Sequence, residues 1–135
     1  MTLGQKIKII RRFRNLTQRQ LGVALDLHEG AKNAETRICQ YELGIRTPKM
    51  NYQLKLAETL KVHPINFTGG TPGTIEHVMQ FLFWLEESNP ELLTTFEGVF
   101  QHMCFHEWRT KKDALQSGDI THDEYFEWKL SWSNT

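Results

Sequence analysis

Three glycines and one proline fall within the seven residues Thr68–Thr74 (TGGTPGT), in a chain whose apolar residues otherwise recur at helical intervals. Such a cluster does not continue a helix. Glycine adds backbone freedom, and proline lacks an N–H and clashes with the preceding turn. The stretch therefore predicts a linker at 68–74, joining a unit at 1–67 to a helical unit at 75–135. Charge divides at the same place. Met1–Phe67 carries twelve Lys/Arg against five Asp/Glu, and the remainder carries four against eleven, so +7 and −7 cancel to a formal +0. Four aromatic residues precede the break and eleven follow it. A basic unit of this kind suits a polyanion; an acidic, aromatic unit suits packing against protein.

Several classes are excluded at this stage. No apolar run approaches the ~20 residues that cross a bilayer, so no membrane role is expected. The basic, helix-patterned start MTLGQKIKIIRRFRN is unlike a secretory signal. With two cysteines only, Cys39 and Cys104, free thiols in a reducing cytoplasm are expected rather than a disulfide scaffold.

The basic unit divides into five short helices. Thr2 and Gln5 have capping-box spacing, and Leu3, Ile7 and Ile10 mark one face of a helix at about 3–14. Thr17 caps a second helix to about Leu25, with Leu21 and Leu25 inward. A polar loop, Asp26–Ala34, precedes a third helix at about 35–43, with Ile38 and Tyr41 inward and Gly44 as its stop. Pro48 opens a fourth at about 49–60, carrying Leu54, Leu56 and Leu60. His63-Pro64 begins a last turn ending near Phe67.

The segments Leu16-Thr-Gln-Arg-Gln-Leu21, Arg37-Ile-Cys-Gln-Tyr-Glu-Leu-Gly44, Arg46-Thr-Pro48 and Leu56-Ala-Glu-Thr-Leu-Lys-Val62 come in order along the first half. Together they resemble the Cro/CI-type helix-turn-helix family of DNA-binding regulators. The resemblance implies that Thr17 and Gln18 grip a phosphate at the start of the first motif helix. It makes the third helix the recognition helix, with Glu35, Thr36, Arg37 and Gln40 on or beside its outer face. Arg pairs with guanine, Gln with adenine, and Glu accepts from cytosine. Arg46, Thr47 and Lys49 would lie along the sugar-phosphate backbone. Arg11 and Glu42 match an internal ion pair of the family and are assigned to architecture. The chain departs from the family between Leu21 and Ile38, an interval about six residues longer than usual. Lys32 and Asn33 fall there, either adding a backbone contact or bulging into solvent. Ala34 stands at the expected hydroxyl cap, with Asn33 as the substitute.

In the acidic unit, Thr74 caps a helix at about 75–87 that is apolar nearly all round, and Ser88-Asn-Pro90 breaks it. A long helix is expected at about 91–116, kinked near Gly98 and exposing Phe96, Phe100, Met103 and Trp108. Thr121 and Glu124 form a capping box opening a last helix through Trp132. His102 and His106 are four apart, a spacing that binds zinc, but no third ligand accompanies them, so no metal is expected. No nucleophile elbow, P-loop or dinucleotide fingerprint occurs, so neither catalysis nor a cofactor is expected.

The expectation is an all-α, cytoplasmic transcriptional regulator that binds double-stranded DNA as a homodimer on a palindromic operator. Its expected output is that of a repressor, occluding a promoter, with activation left open. The aromatic half pairs the protomers, or takes a protein, peptide or small-molecule effector. The alternative is an antitoxin-like protein whose second half clamps a basic partner.

Overall fold

Four of the described helices begin on a threonine whose hydroxyl accepts a hydrogen bond from the first turn: Thr2, Thr17, Thr74 and Thr121. At Thr2, Thr17 and Thr121 the box is reciprocal, closed by Gln5, Gln20 and Glu124. Each box satisfies two N–H groups that a helix start would leave unpaired. The computed structural model describes residues 1–25, 30–94 and 103–133, and among these the chain is all-α with no strand. The first half holds α1 (Leu3–Phe13), α2 (Gln18–Ala24), α3 (Gly30–Glu42), α4 (Met50–Leu60) and α5 (Ile65–Thr68). The second holds α6 (Ile75–Ser88), α7 (Pro90–Thr94), α8 (Met103–Ser117) and α9 (His122–Ser131). No helix among the described residues is long and apolar enough to cross a membrane.

Ile7 and Ile10 of α1, Leu21 of α2, Ile38 and Tyr41 of α3, and Leu56 and Leu60 of α4 bury into one core. Each such aliphatic side chain stabilises the fold by about 1.5–3 kcal/mol. Two glycines let α3 approach closely. A Cβ on Gly22 would lie 2.6 Å from the Ala34 carbonyl oxygen, and one on Gly4 would overlap the Tyr41 carbonyl oxygen. Trp84 of α6 and Leu130 of α9 complete the same core, so the second half packs into the first.

Polar bonds reinforce that joint. Arg14 donates to the Leu60 and Lys61 carbonyls at 2.7 and 3.0 Å, satisfying the end of α4, and reaches both carboxylate oxygens of Glu127 at 2.5 and 2.9 Å. The Leu130 carbonyl accepts from His63 N and from the amide of buried Asn66, both at 2.9 Å. Phe13 meets Phe126 edge-on at 4.8 Å. The Lys6 amine lies 5.4 Å from the centre of the Trp84 ring, and burial there lowers its pKa.

A second core gathers Met79, Leu82, Phe83, Trp108, Tyr125 and Trp132. Trp108 donates its indole N–H to the Tyr125 hydroxyl at 2.8 Å, and that hydroxyl donates to Glu86. Lys129, almost wholly buried, is neutralised by Glu86 at 2.9 Å and by Glu87. Burial and the Glu86 charge push the Tyr125 phenol strongly upward. Glu107 accepts from the indoles of Trp128 and Trp132 at 3.2 and 3.3 Å, tying α8 to α9.

Several expectations require correction. The third helix is already formed at Gly30, well before Glu35, so Asn33 and Ala34 are helical and neither caps it. Ala, Lys and Glu in this stretch favour helix, and Ala34 gains a buried seat on Gly22. Leu54 is 48% exposed, because it lies about 160° around α4 from the buried Leu56. Trp108, expected on an exposed stripe, is 5% exposed. Whether one helix runs through 91–116, with its kink near Gly98, falls on residues outside the described ones: α7 and α8 are its described ends, and Phe96, Gly98, Phe100 and His102 lie outside, as do the side chains of Met103 and Cys104. Cys39 is a free, half-buried thiol.

Candidate nucleic-acid interface

Helices α2 and α3 form the most closely joined pair, and Gly22 on Ala34 is the contact that permits it. With Ala34, Ile38 and Tyr41 turned into the core, 100° per residue fixes the rest of the α3 surface. Asn33, Thr36, Arg37 and Gln40 share one outward arc; Asn33 and Thr36 are exposed, Arg37 and Gln40 half-buried. Thr36 and Arg37 also have partners within the chain. The early helix start thus brings Asn33 onto the face of Arg37 and Gln40. Lys32 is on α3 as well, with its side chain outside the described residues. Glu35 does not join this arc. It lies about 160° from Arg37, on the flank towards α2, where its carboxylate meets the Arg19 guanidinium at 3.4 Å.

Beyond α3, Gly44 turns the chain with φ +74°, and the Gln40 carbonyl accepts from Ile45 N and Arg46 N at 3.0 and 3.2 Å. Pro48 is buried, and its carbonyl accepts from the Gln53 side chain at 3.0 Å. Arg46, Thr47 and Lys49 therefore stand exposed around an anchored proline, beside the end of the α3 arc. Leu43 and Ile45, 67% and 69% exposed, flank them.

At α2, Thr17 spends its hydroxyl on the cap, accepting from Gln20 N at 3.0 Å. Gln18 is half-buried, and its amide donates to Glu42 at 2.9 Å. Glu42 also receives the Arg11 Nε at 2.5 Å and Nη2 at 3.1 Å, while Arg11 Nη1 reaches the Leu16 carbonyl at 2.8 Å. The architectural role expected of Arg11 and Glu42 is the one they have. Gln18 belongs to that same buried network.

Chemically, the arc and the segment after it offer amide, hydroxyl and guanidinium donors. Among the described residues no group of three or more His, Cys, Asp or Glu could hold a metal ion, and His106 is exposed. Sequence reasoning missed Gly22, whose only signal is a glycine inside an otherwise helix-forming run, and Arg19, which lies within the Leu16–Leu21 motif. No family model, curated protein or solved structure matches this chain.

Proposed function

We propose that the chain is a sequence-specific DNA-binding transcriptional regulator acting as a repressor, with α3 as the helix that enters the major groove. The observation that carries this reading is the outward arc Asn33–Thr36–Arg37–Gln40 on a helix held against α2 by the Gly22–Ala34 contact. Arg and Gln make paired hydrogen bonds to guanine and adenine edges, and Asn equally suits adenine. Arg46, Thr47 and Lys49 stand exposed beyond the end of that arc, and their charges and hydroxyl suit the phosphate backbone. The surplus of basic residues in the first half supplies the sequence-independent attraction. Val78 and Phe81, exposed on α6 of the acidic half, favour pairing of two copies through that half, so that two α3 helices read a palindrome. The same two residues favour the second reading, an antitoxin-like protein whose acidic half clamps a basic partner.

Selection of bound sequences from a random duplex pool tests the proposal. A two-fold symmetric consensus is expected; no enrichment over the starting pool refutes it. Copurification of a small basic protein in one-to-one amount favours the antitoxin-like form.

A further inference from the structure

We infer that Arg19 is an additional phosphate-contacting residue, and that Glu35 is its positioning residue rather than a reader of bases. The inference rests on the DNA-binding reading above. Arg19 is the second residue of α2 and its side chain is 60% exposed; its Nε lies 3.4 Å from Glu35 Oε2, and the Glu35 side chain is 45% exposed. So exposed a pair adds little to folding stability. What it fixes is direction. With the Nε edge on the carboxylate, the two terminal nitrogens remain as a planar fork, the geometry that suits a phosphate. Neighbouring Gln18 has its amide committed to Glu42, and Gln20 gives its amide oxygen to the Thr17 cap, so the charged outward donor at the start of α2 is Arg19. Glu35 lies about 160° from Arg37 around α3, too far round to share a base step with the Asn33–Gln40 arc. Left alone beside DNA its charge would repel phosphate; next to Arg19 it holds a cation outward instead.

The test is fluorescence anisotropy of the full chain on a labelled duplex of random sequence, at NaCl from about 50 to 200 mM, where phosphate contacts dominate affinity. Arg19→Ala is expected to weaken binding and to flatten the slope of log affinity against log salt by about 0.9. Arg19→Lys should keep the slope and lose affinity, since a point charge replaces the fork. Glu35→Gln should weaken binding several-fold in the wild-type background and not in Arg19→Ala, the mark of a residue acting through another. Wild-type affinity and slope in Arg19→Ala overturn the inference and leave the DNA-binding reading intact. The same change from Glu35→Gln in both backgrounds overturns the positioning role. Absence of salt-dependent binding by the wild type overturns the reading itself. Melting curves within a few degrees of wild type establish that the variants are folded.

Discussion

Removing Glu42 is the sharpest perturbation of the scaffold beneath the proposed interface. Glu42 and Arg11 are 9% and 8% exposed, so both charges sit largely out of water. Glu42→Ala deletes the acceptors at 2.5 and 3.1 Å from Arg11 and at 2.9 Å from Gln18, leaving the guanidinium with the Leu16 carbonyl alone. Breaking a buried pair from one side costs about 3–5 kcal/mol, because the remaining charge is buried without its counter-charge. A small protein unfolds at about 5–15 kcal/mol in total, so the variant should retain only part of its stability. Urea unfolding followed by circular dichroism at 222 nm measures this. With a slope of about 2 kcal/mol per molar, the midpoint should fall by about 2 M at unchanged slope. Glu42→Gln keeps one acceptor oxygen and should lose less. The double variant Arg11→Met with Glu42→Leu removes both charges and should recover most of the loss, since apolar replacements of similar volume fill such sites well. A loss below about 1 kcal/mol for Glu42→Ala would show that the pair is solvated like a surface bridge, and the argument from burial fails.

The Arg14 hydrogen bonds, and then its charge, hold the Glu127 carboxyl below the ordinary carboxylate range. A group with a depressed folded pKa stabilises above its unfolded pKa, and that contribution disappears as pH falls through the folded value. Glu127→Gln should therefore lower the melting temperature near neutrality, with the deficit closing as pH drops below about 4.3; a deficit unchanged in acid refutes the assignment. Gly22→Val should destabilise by about 1–3 kcal/mol through overlap with the Ala34 backbone, and should weaken DNA binding with it; calorimetry showing no loss excludes that close approach. Arg37→Ala and Gln40→Ala should each relax preference at particular base pairs by about 1–3 kcal/mol, and uniform weakening on all sequences would assign them to phosphate. Lys49→Ala should weaken every sequence alike and flatten the salt slope by about 0.9.

Much of this architecture is legible in the sequence where one local rule decides. Thr2, Thr17, Thr74 and Thr121 set their helix starts through bonds within a single turn, and Gly44 ends α3 by its own backbone conformation. The start of α3 was not legible, because a tertiary contact decides it: the helix extends back to Gly30 over a buried Ala34, and nothing local marks Gly22 as its partner. Arg37 and Gln40 could be placed outward from the positions of Ile38 and Tyr41 alone. Glu35 could be placed off their arc by the same spacing, though its partner Arg19 could not be read from it; Asn33 could not be placed, since its face turns on where the helix begins. Trp108 fails as a periodicity argument for a different reason. Its stripe is apolar whether a partner copy or the chain's own Phe83 and Tyr125 cover it, and here the chain covers it.

The opposite charges of the two halves suggest segregation, yet the fold uses them to join the halves. Arg14 of the basic half and Glu127 of the acidic half are 113 residues apart in sequence and share two hydrogen bonds. Lys6 turns to Trp84, and Arg11 is consumed by Glu42, so three of the twelve cations in the first half are committed inside the protein. Arg11 and Glu42 already cancel within the +7 count, whereas Arg14 is paired with an acid of the other half, so the surplus offered to a polyanion is smaller than +7 and depends on side chains such as Arg19, Arg46 and Lys49 that stand exposed. Trp84 and Leu130 lie in the core formed by α1 to α5, and Asn66 bonds to the Leu130 carbonyl. Arg14 closes this joint three residues before Thr17, the cap of α2. The second half is therefore part of the core on which Leu21 of α2 and Ile38 of α3 are also packed.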